Sequence, residues 1–325
     1  MRFKLQAKNT FPMNTNAKIF LSGHKGMVGA ALQKQLLAEG FQNIVTADKE
    51  ALDLLQQKEV ADFLCAEAPD TVILAAARVG GIEANRSEPA RFLYENLAIQ
   101  NNVIHGSYLA GVQQLVFLGS SCIYPRDCPQ PMKESYLLSG PLEPTNEGYA
   151  LAKIAGLRMV QAYHQQYGMG GICAMPCNLY GSGDCFDLKK SHVLSSLVKR
   201  FVDAVDGQCQ DVTLWGSGSA YREFMHIEDL ARAMLLLMTK VTTPDLINVG
   251  TGEEISIRNL AELVAETVNF RGNLMWDTTK PDGMPRKCLE ISKLKALGFT
   301  PKISLTEGVH RTVEEYRQLK KSALL

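Results

Sequence analysis

The chain is 325 residues long, 46% hydrophobic and 21% charged, and its 34 basic residues are balanced by 34 acidic ones. That is enough apolar material for one large domain or two smaller ones, and without a basic surplus a general binder of nucleic acid or of an anionic membrane is argued against. Aliphatic runs such as residues 72–77 and 234–238 fall far short of the roughly 18–20 apolar residues that cross a bilayer, so the sequence reads as soluble.

In chain order, residues 1–16 carry Arg2, Lys4 and Lys8 with no acid and no apolar stretch, which reads as a mobile leader rather than a secretory signal; a short transit peptide stays open. Residues 17–21 (AKIFL) predict a first strand, and 27–39 a helix with Val28, Ala31, Leu32 and Leu36 on one face and Gly40 as its stop. A second strand follows at 43–46, a helix at 58–68, a third strand at 71–75, a long helix at 89–110 and a fourth strand at 114–118. Strands that are apolar on both faces and joined by helices belong in a parallel sheet covered on both sides. The predicted fold class is therefore α/β, a doubly wound, dinucleotide-binding sheet. Beyond about Tyr180 the rhythm loosens into a loop at 181–188, a helix at 191–205 and a short strand at 212–215. A helix at 228–239, a strand at 246–249 and mixed helices at 256–268 and 305–319 complete the chain. We expect a nucleotide domain of residues 17–180, to which 225–250 returns, and a smaller α/β substrate domain from 181–224 and 251–325. The pocket then lies between them. The eight cysteines form no CxxC pair and no histidine stands at ligand spacing, which predicts reduced thiols in a cytoplasmic protein without a metal site.

The first strand–helix turn reads Gly23-His24-Lys25-Gly26-Met27-Val28-Gly29. Missing side chains there let the backbone approach a pyrophosphate, and the helix N-terminus offers free N–H groups. At the end of the second strand an acid would serve a ribose hydroxyl and a base a 2′-phosphate. Asp48 is followed by Lys49, with Lys25 in the glycine turn: two lysines converging on one phosphate lean towards NADP, Asp48 keeps NAD open, and the reading that these are solvated surface charges stands beside both. Tyr149 and Lys153 form a YxxxK pair whose i,i+4 spacing puts both on one helix face, where an ammonium is expected to lower the phenol's pKa. Tyr316 and Lys320 repeat the spacing, by chance on this reading. What distinguishes Tyr149 is Ser120, which follows the fourth strand and would face the same cleft, able to hold a carbonyl oxygen.

Together these features resemble the extended short-chain dehydrogenase/reductases, which mostly act on nucleotide sugars. More closely, GHKGMVG, LAAARVGGI, FLGSSCIYP, EPTNEGYALAKIAG, NLYG, SHV, WGSGSAYREFMHIEDLA, INVGTG and KPDGMPRK, colinear from about Ala17 into the C-terminal part, resemble the GDP-L-fucose synthase family. The resemblance implies epimerisation of GDP-4-dehydro-6-deoxy-D-mannose at C3 and C5 and NADPH-dependent reduction at C4. It also implies a homodimer built on helices 89–110 and 146–167. Both epimerised carbons lie α to the C4 carbonyl, so one oxyanion site serves all the steps. The resemblance assigns proton exchange at C3 and C5 to Cys122 and His192, and proton donation to O4 to Tyr149. It gives Lys153 the tuning of Tyr149 and the nicotinamide ribose, and Ser120 the C4 oxygen. Around NADP it places Gly23, His24, Lys25, Gly26, Met27, Val28, Gly29, Lys49, Lys153, Pro176, Asn178, Leu179 and His192. Around the GDP-sugar it places Asn178, Arg200, Trp215, Arg222 and Asp282, where arginine pairs with diphosphate and tryptophan offers a stacking face.

Lys25 stands where the family commonly has arginine, keeping the charge but not the bidentate geometry, so cofactor preference is the expectation most exposed. Cys177 stands where threonine is common and puts a second thiol near the cleft. Three rivals share the scaffold. A sugar-nucleotide 4,6-dehydratase would carry an acid after its catalytic serine, where this chain has Ser121 and Cys122. A 4-epimerase needs neither Cys122 nor His192, and a non-catalytic regulator need not keep Ser120, Tyr149 and Lys153.

Overall fold

The computed structural model describes residues 14–188, 190–280 and 282–322. Of the expected leader, residues 14–16 form an exposed turn and residues 1–13 lie outside the described residues. Strand β1 (Ile19–Ser22) is buried throughout, and a tight turn carries it into α1 (Met27–Ala38), which buries Leu32 and Leu36. The edge strand β2 (Ile44–Val45), α2 (Gln57–Glu67) and β3 (Thr71–Leu74) follow. A short α3 (Ile82–Ser87) precedes α4 (Pro89–Leu109), where Pro89 occupies the first turn that tolerates its missing N–H. Then come β4 (Gln114–Leu118), α5 (Glu147–Tyr167) and β5 (Gly170–Pro176). β5 is not among the strands expected from the sequence, because its Gly-Gly start and proline end mask the buried Ile172–Met175 run.

Beyond β5 lie β6 (Asn178–Tyr180), α6 (Val193–Asp206), β7 (Asp211–Trp215), β8 (Tyr221–Arg222), β9 (Phe224–His226), α7 (Ile227–Lys240) and β10 (Leu246–Val249). The chain closes with β11 (Ile255–Ser256), α8 (Ile257–Thr267), β12 (Asn273–Asp277), β13 (Arg286–Lys287), α9 (Ser292–Ala296) and α10 (Leu305–Lys321). The large sheet is six-stranded and parallel, in the order β2-β1-β3-β4-β5-β10. Strand order reverses between β1 and β3, so the crevice at their C-terminal ends is where an open α/β sheet takes its ligand.

Two apolar cores result. One surrounds the large sheet and includes α7 and β10; the other joins α6, α8 and α10 to β7. Leu289, Ile291, Leu294 and Phe299 pack into the first core, although residues 251–325 were expected with the substrate part. Glu223 binds the segments together: its buried carboxylate accepts from the backbone N–H groups of Thr251, Gly252 and Leu289 at 2.7–2.8 Å. Satisfying a buried carboxylate with three donors makes it an anchor rather than a liability.

Candidate active site

At the switch point Gly23 has φ +79°, a conformation that favours glycine, and the N–H of Gly26 donates to the Gly23 carbonyl at 3.0 Å. A Cβ on Gly29 would lie 2.1 Å from that same carbonyl oxygen, so α1 starts flush against the turn and its N-terminus, with Met27 and Val28, stays open to a pyrophosphate. The residues present thus fit a dinucleotide. Gly29→Ala should weaken NADPH binding about tenfold or more in a fluorescence titration, since overpacking costs about 1–3 kcal/mol. At the ribose end, Lys25 Nζ lies 2.7 Å and His24 Nε2 3.3 Å from Asp48. The Lys25 hydrogen bond is the main cause holding the Asp48 carboxyl below its usual range. One acid is therefore faced by two groups able to carry positive charge, with exposed Lys49 next to it.

Ser120 lies two residues beyond β4 and caps a turn of 3-10 helix, accepting from the Cys122 N–H at 3.3 Å. Tyr149 and Lys153 enter from the first turns of α5. Lys153 is buried, donates to the Leu118 carbonyl at 2.9 Å, and lies 5.8 Å from the centre of the Tyr149 ring. Burial pulls its ammonium down to about 8. Contrary to the expectation from YxxxK, the Tyr149 phenol is pushed up, chiefly by burial and further by Cys122, with a Ser120 hydrogen bond opposing. Spacing reports proximity; here the dielectric decides the sign.

Half-buried Cys122 accepts from Asn146 Nδ2 at 3.2 Å and from Lys287 Nζ at 3.4 Å. Burial pushes the thiol up, but the Lys287 ammonium and hydrogen bonds from Ser120, Lys287 and Asn146 outweigh it, leaving the thiol below its ordinary value. Neither Asn146 nor Lys287 was singled out from the sequence. Both lie inside quoted motifs, but 165 positions separate Lys287 from Cys122. His192 is exposed at the N-terminal boundary of α6, and a Cβ on Gly81 would lie 3.2 Å from the neighbouring Ser191 carbonyl. The segment after β3 thus borders the histidine.

Pro176 ends β5, Leu179 packs against the first core, and Asn178 donates to the Glu223 carbonyl at 2.8 Å. Trp215, 63% exposed, holds Lys280 5.7 Å from its ring centre. Arg222 donates to the Tyr221 carbonyl at 2.8 Å, and Arg200 to Ser196 at 3.4 Å. Both Asp282 carboxylate oxygens are engaged by Ser217, at 2.7 and 2.8 Å, which fixes the turn after Trp215. Its contribution to a substrate site would thus run through that turn. Among the described residues no cluster of side chains could hold a metal ion.

The family model of the NAD dependent epimerase/dehydratase family matches residues 19–250. A protein of Arabidopsis thaliana described as putative GDP-L-fucose synthase 2 is 53% identical over 307 residues, covering 94% of both chains. The solved GDP-6-OMe-4-keto-L-xylo-heptose reductase from C. jejuni is similar with a TM-score of 0.89 at 36% identity, over 95% of this chain and 99% of that one. A GDP-L-fucose synthetase from Naegleria fowleri bound to NADP gives 0.87 at 25% identity, over 96% and 97%.

Proposed function

The chain belongs to the NAD dependent epimerase/dehydratase family, and from that membership we propose that it converts GDP-4-dehydro-6-deoxy-D-mannose to GDP-L-fucose by inversion at C3 and C5 and NADPH-dependent reduction at C4. The observation that carries this reading is the convergence of Ser120, Tyr149 and a thiol held by two donors at one end of the parallel sheet. NADPH supplies the hydride when bound. Ser120 and Tyr149 direct hydroxyl groups at O4 and stabilise each enolate. Cys122 and His192 exchange the protons at C3 and C5. After inversion, Tyr149, which keeps its proton at neutral pH, gives it to O4. Lys153 holds the floor of the site and the nicotinamide ribose. Arg200, Arg222 and Trp215 face the GDP moiety, Asp282 sets the turn beside them, and Asn178 lies between sugar and cofactor. Turnover of this keto-sugar with NADPH, with the product sugar identified by NMR, tests the reading.

A homodimer and a cytoplasmic location belong to the same reading. Tyr94 and Leu109 of α4 and Leu151 and Tyr167 of α5 expose large apolar surface, and Tyr108 stacks on Tyr167 at 4.2 Å. Such a patch on adjacent helices is suited to cover a second copy. Light scattering at micromolar protein should give twice the chain mass; the mass of one chain would contradict the dimer. All eight cysteines are free, as a reducing compartment requires, and no described helix is long and apolar enough to cross a membrane.

A further inference from the structure

We propose that Lys287 is a positioning residue for Cys122: reaching from the small sheet around Arg222, it holds the sulfur as a thiolate aimed at the sugar. The inference rests on the epimerase reading above and extends it to a residue outside the proton-exchanging pair.

Lys287 Nζ donates to the Cys122 sulfur at 3.4 Å, and Asn146 Nδ2 donates from the other side at 3.2 Å. Two donors on one sulfur fix its direction as well as its charge. The Lys287 ammonium meets the sulfur directly, so its charge acts on Cys122 at contact distance. Its backbone is also fixed. β13 runs parallel to β8, with Lys287 beside Arg222. The Lys287 carbonyl accepts from the Glu223 N–H at 3.2 Å, and the following Cys288 accepts from the Met132 N–H at 2.8 Å and donates its own N–H to Gln130 Oε1 at 3.0 Å. A long side chain that enters from a braced strand loses little further freedom on meeting the sulfur.

The other titratable groups around this contact are Tyr149 on α5, whose phenol is protonated at neutral pH, and Cys128 and Cys177, both of which feel Lys287. Arg222 adds positive charge from β8, and the Glu223 carboxylate is bound by backbone donors. In each inversion through Cys122 the sulfur takes the proton from the carbon α to C4, the C–H electron pair passes into the enolate on O4, and as the carbonyl re-forms that pair takes a proton from His192 on the opposite face. Lys287 keeps its own protons throughout.

The test uses the full chain, Lys287→Met and the charge-retaining Lys287→Arg. Alkylation of Cys122 by iodoacetamide, located by peptide mass mapping, is followed against pH beside deuterium uptake at C3 and C5 of the keto-sugar in D2O. In Lys287→Met the alkylation midpoint should rise by about 1 pH unit or more and exchange at neutral pH should fall about tenfold; Lys287→Arg should restore both. A wild-type alkylation profile in Lys287→Met overturns the inference. So does a raised KM with exchange unchanged at saturating substrate, which would make Lys287 a diphosphate ligand like its neighbour Arg222. Should Lys287→Met not fold, the wild-type midpoint decides: below the ordinary thiol value supports the contact, at or above it overturns it. Absence of exchange in the wild type would sink the epimerase reading, while the alkylation profiles still report on the contact.

Discussion

Tyr149→Phe is expected to lower the rate of NADPH consumption by about 10²–10⁴-fold, the usual worth of a positioned general acid, while hydrogen exchange at C3 and C5 falls less. Two features set this difference. Burial of the phenol raises its pKa, and the neighbouring Cys122 raises it further, while Ser120 remains beside Cys122 on the same turn. It therefore carries its proton across the neutral range, suited to donation at O4, and its own titration adds no acid limb to the pH profile. Enolate formation loses one hydroxyl at O4 but keeps Ser120, so exchange survives in part. Stopped-flow NADPH oxidation and NMR of deuterium uptake separate the two. Reduction near the wild-type rate in Tyr149→Phe would remove the tyrosine from the mechanism.

Cys122→Ser should act in the opposite sense. The substitution is nearly isosteric at a half-buried position, so the fold should persist with a Tm shift of a few degrees at most. A hydroxyl ionises far less readily than a thiol, even beside Lys287, so the base that opens the epimerisation is lost. Exchange of the hydrogen that Cys122 removes is expected to fall about 10²–10⁴-fold. Hydride transfer still has Tyr149, Ser120 and Lys153, so NADPH is consumed slowly and the product is incompletely inverted. Full inversion by Cys122→Ser at the wild-type rate would move proton exchange to another residue, with His192 or Cys177 first to be tested.

Much of the large sheet was legible because β1, β3 and β4 are apolar on both faces and are punctuated by helices and glycines. β5 was not, since glycine at its start and proline at its end read as loop. The strands of the small sheet, β8, β11 and β13, contain two residues each, too few for any periodicity to register. Ser120, Tyr149 and Lys153 could be placed in one cleft from strand-end logic and i,i+4 spacing. The direction of the Tyr149 shift could not, because it depends on how far the folded chain buries the phenol and on the neighbouring Cys122. The Lys287–Cys122 contact was invisible for the same reason: it joins the loop after β4 to a strand of the other part of the molecule, and no local rule spans that distance.

The central claim is that one site inverts two carbons and reduces a third. Its most direct test is to incubate the purified chain with GDP-4-dehydro-6-deoxy-D-mannose and NADPH in D2O, measuring NADPH loss and solving the product by NMR. The expected result is GDP-L-fucose carrying solvent deuterium at C3 and C5, with one NADPH consumed per product. A 4-reduced sugar with its original configuration and no deuterium at those carbons would contradict it and leave a simple reductase.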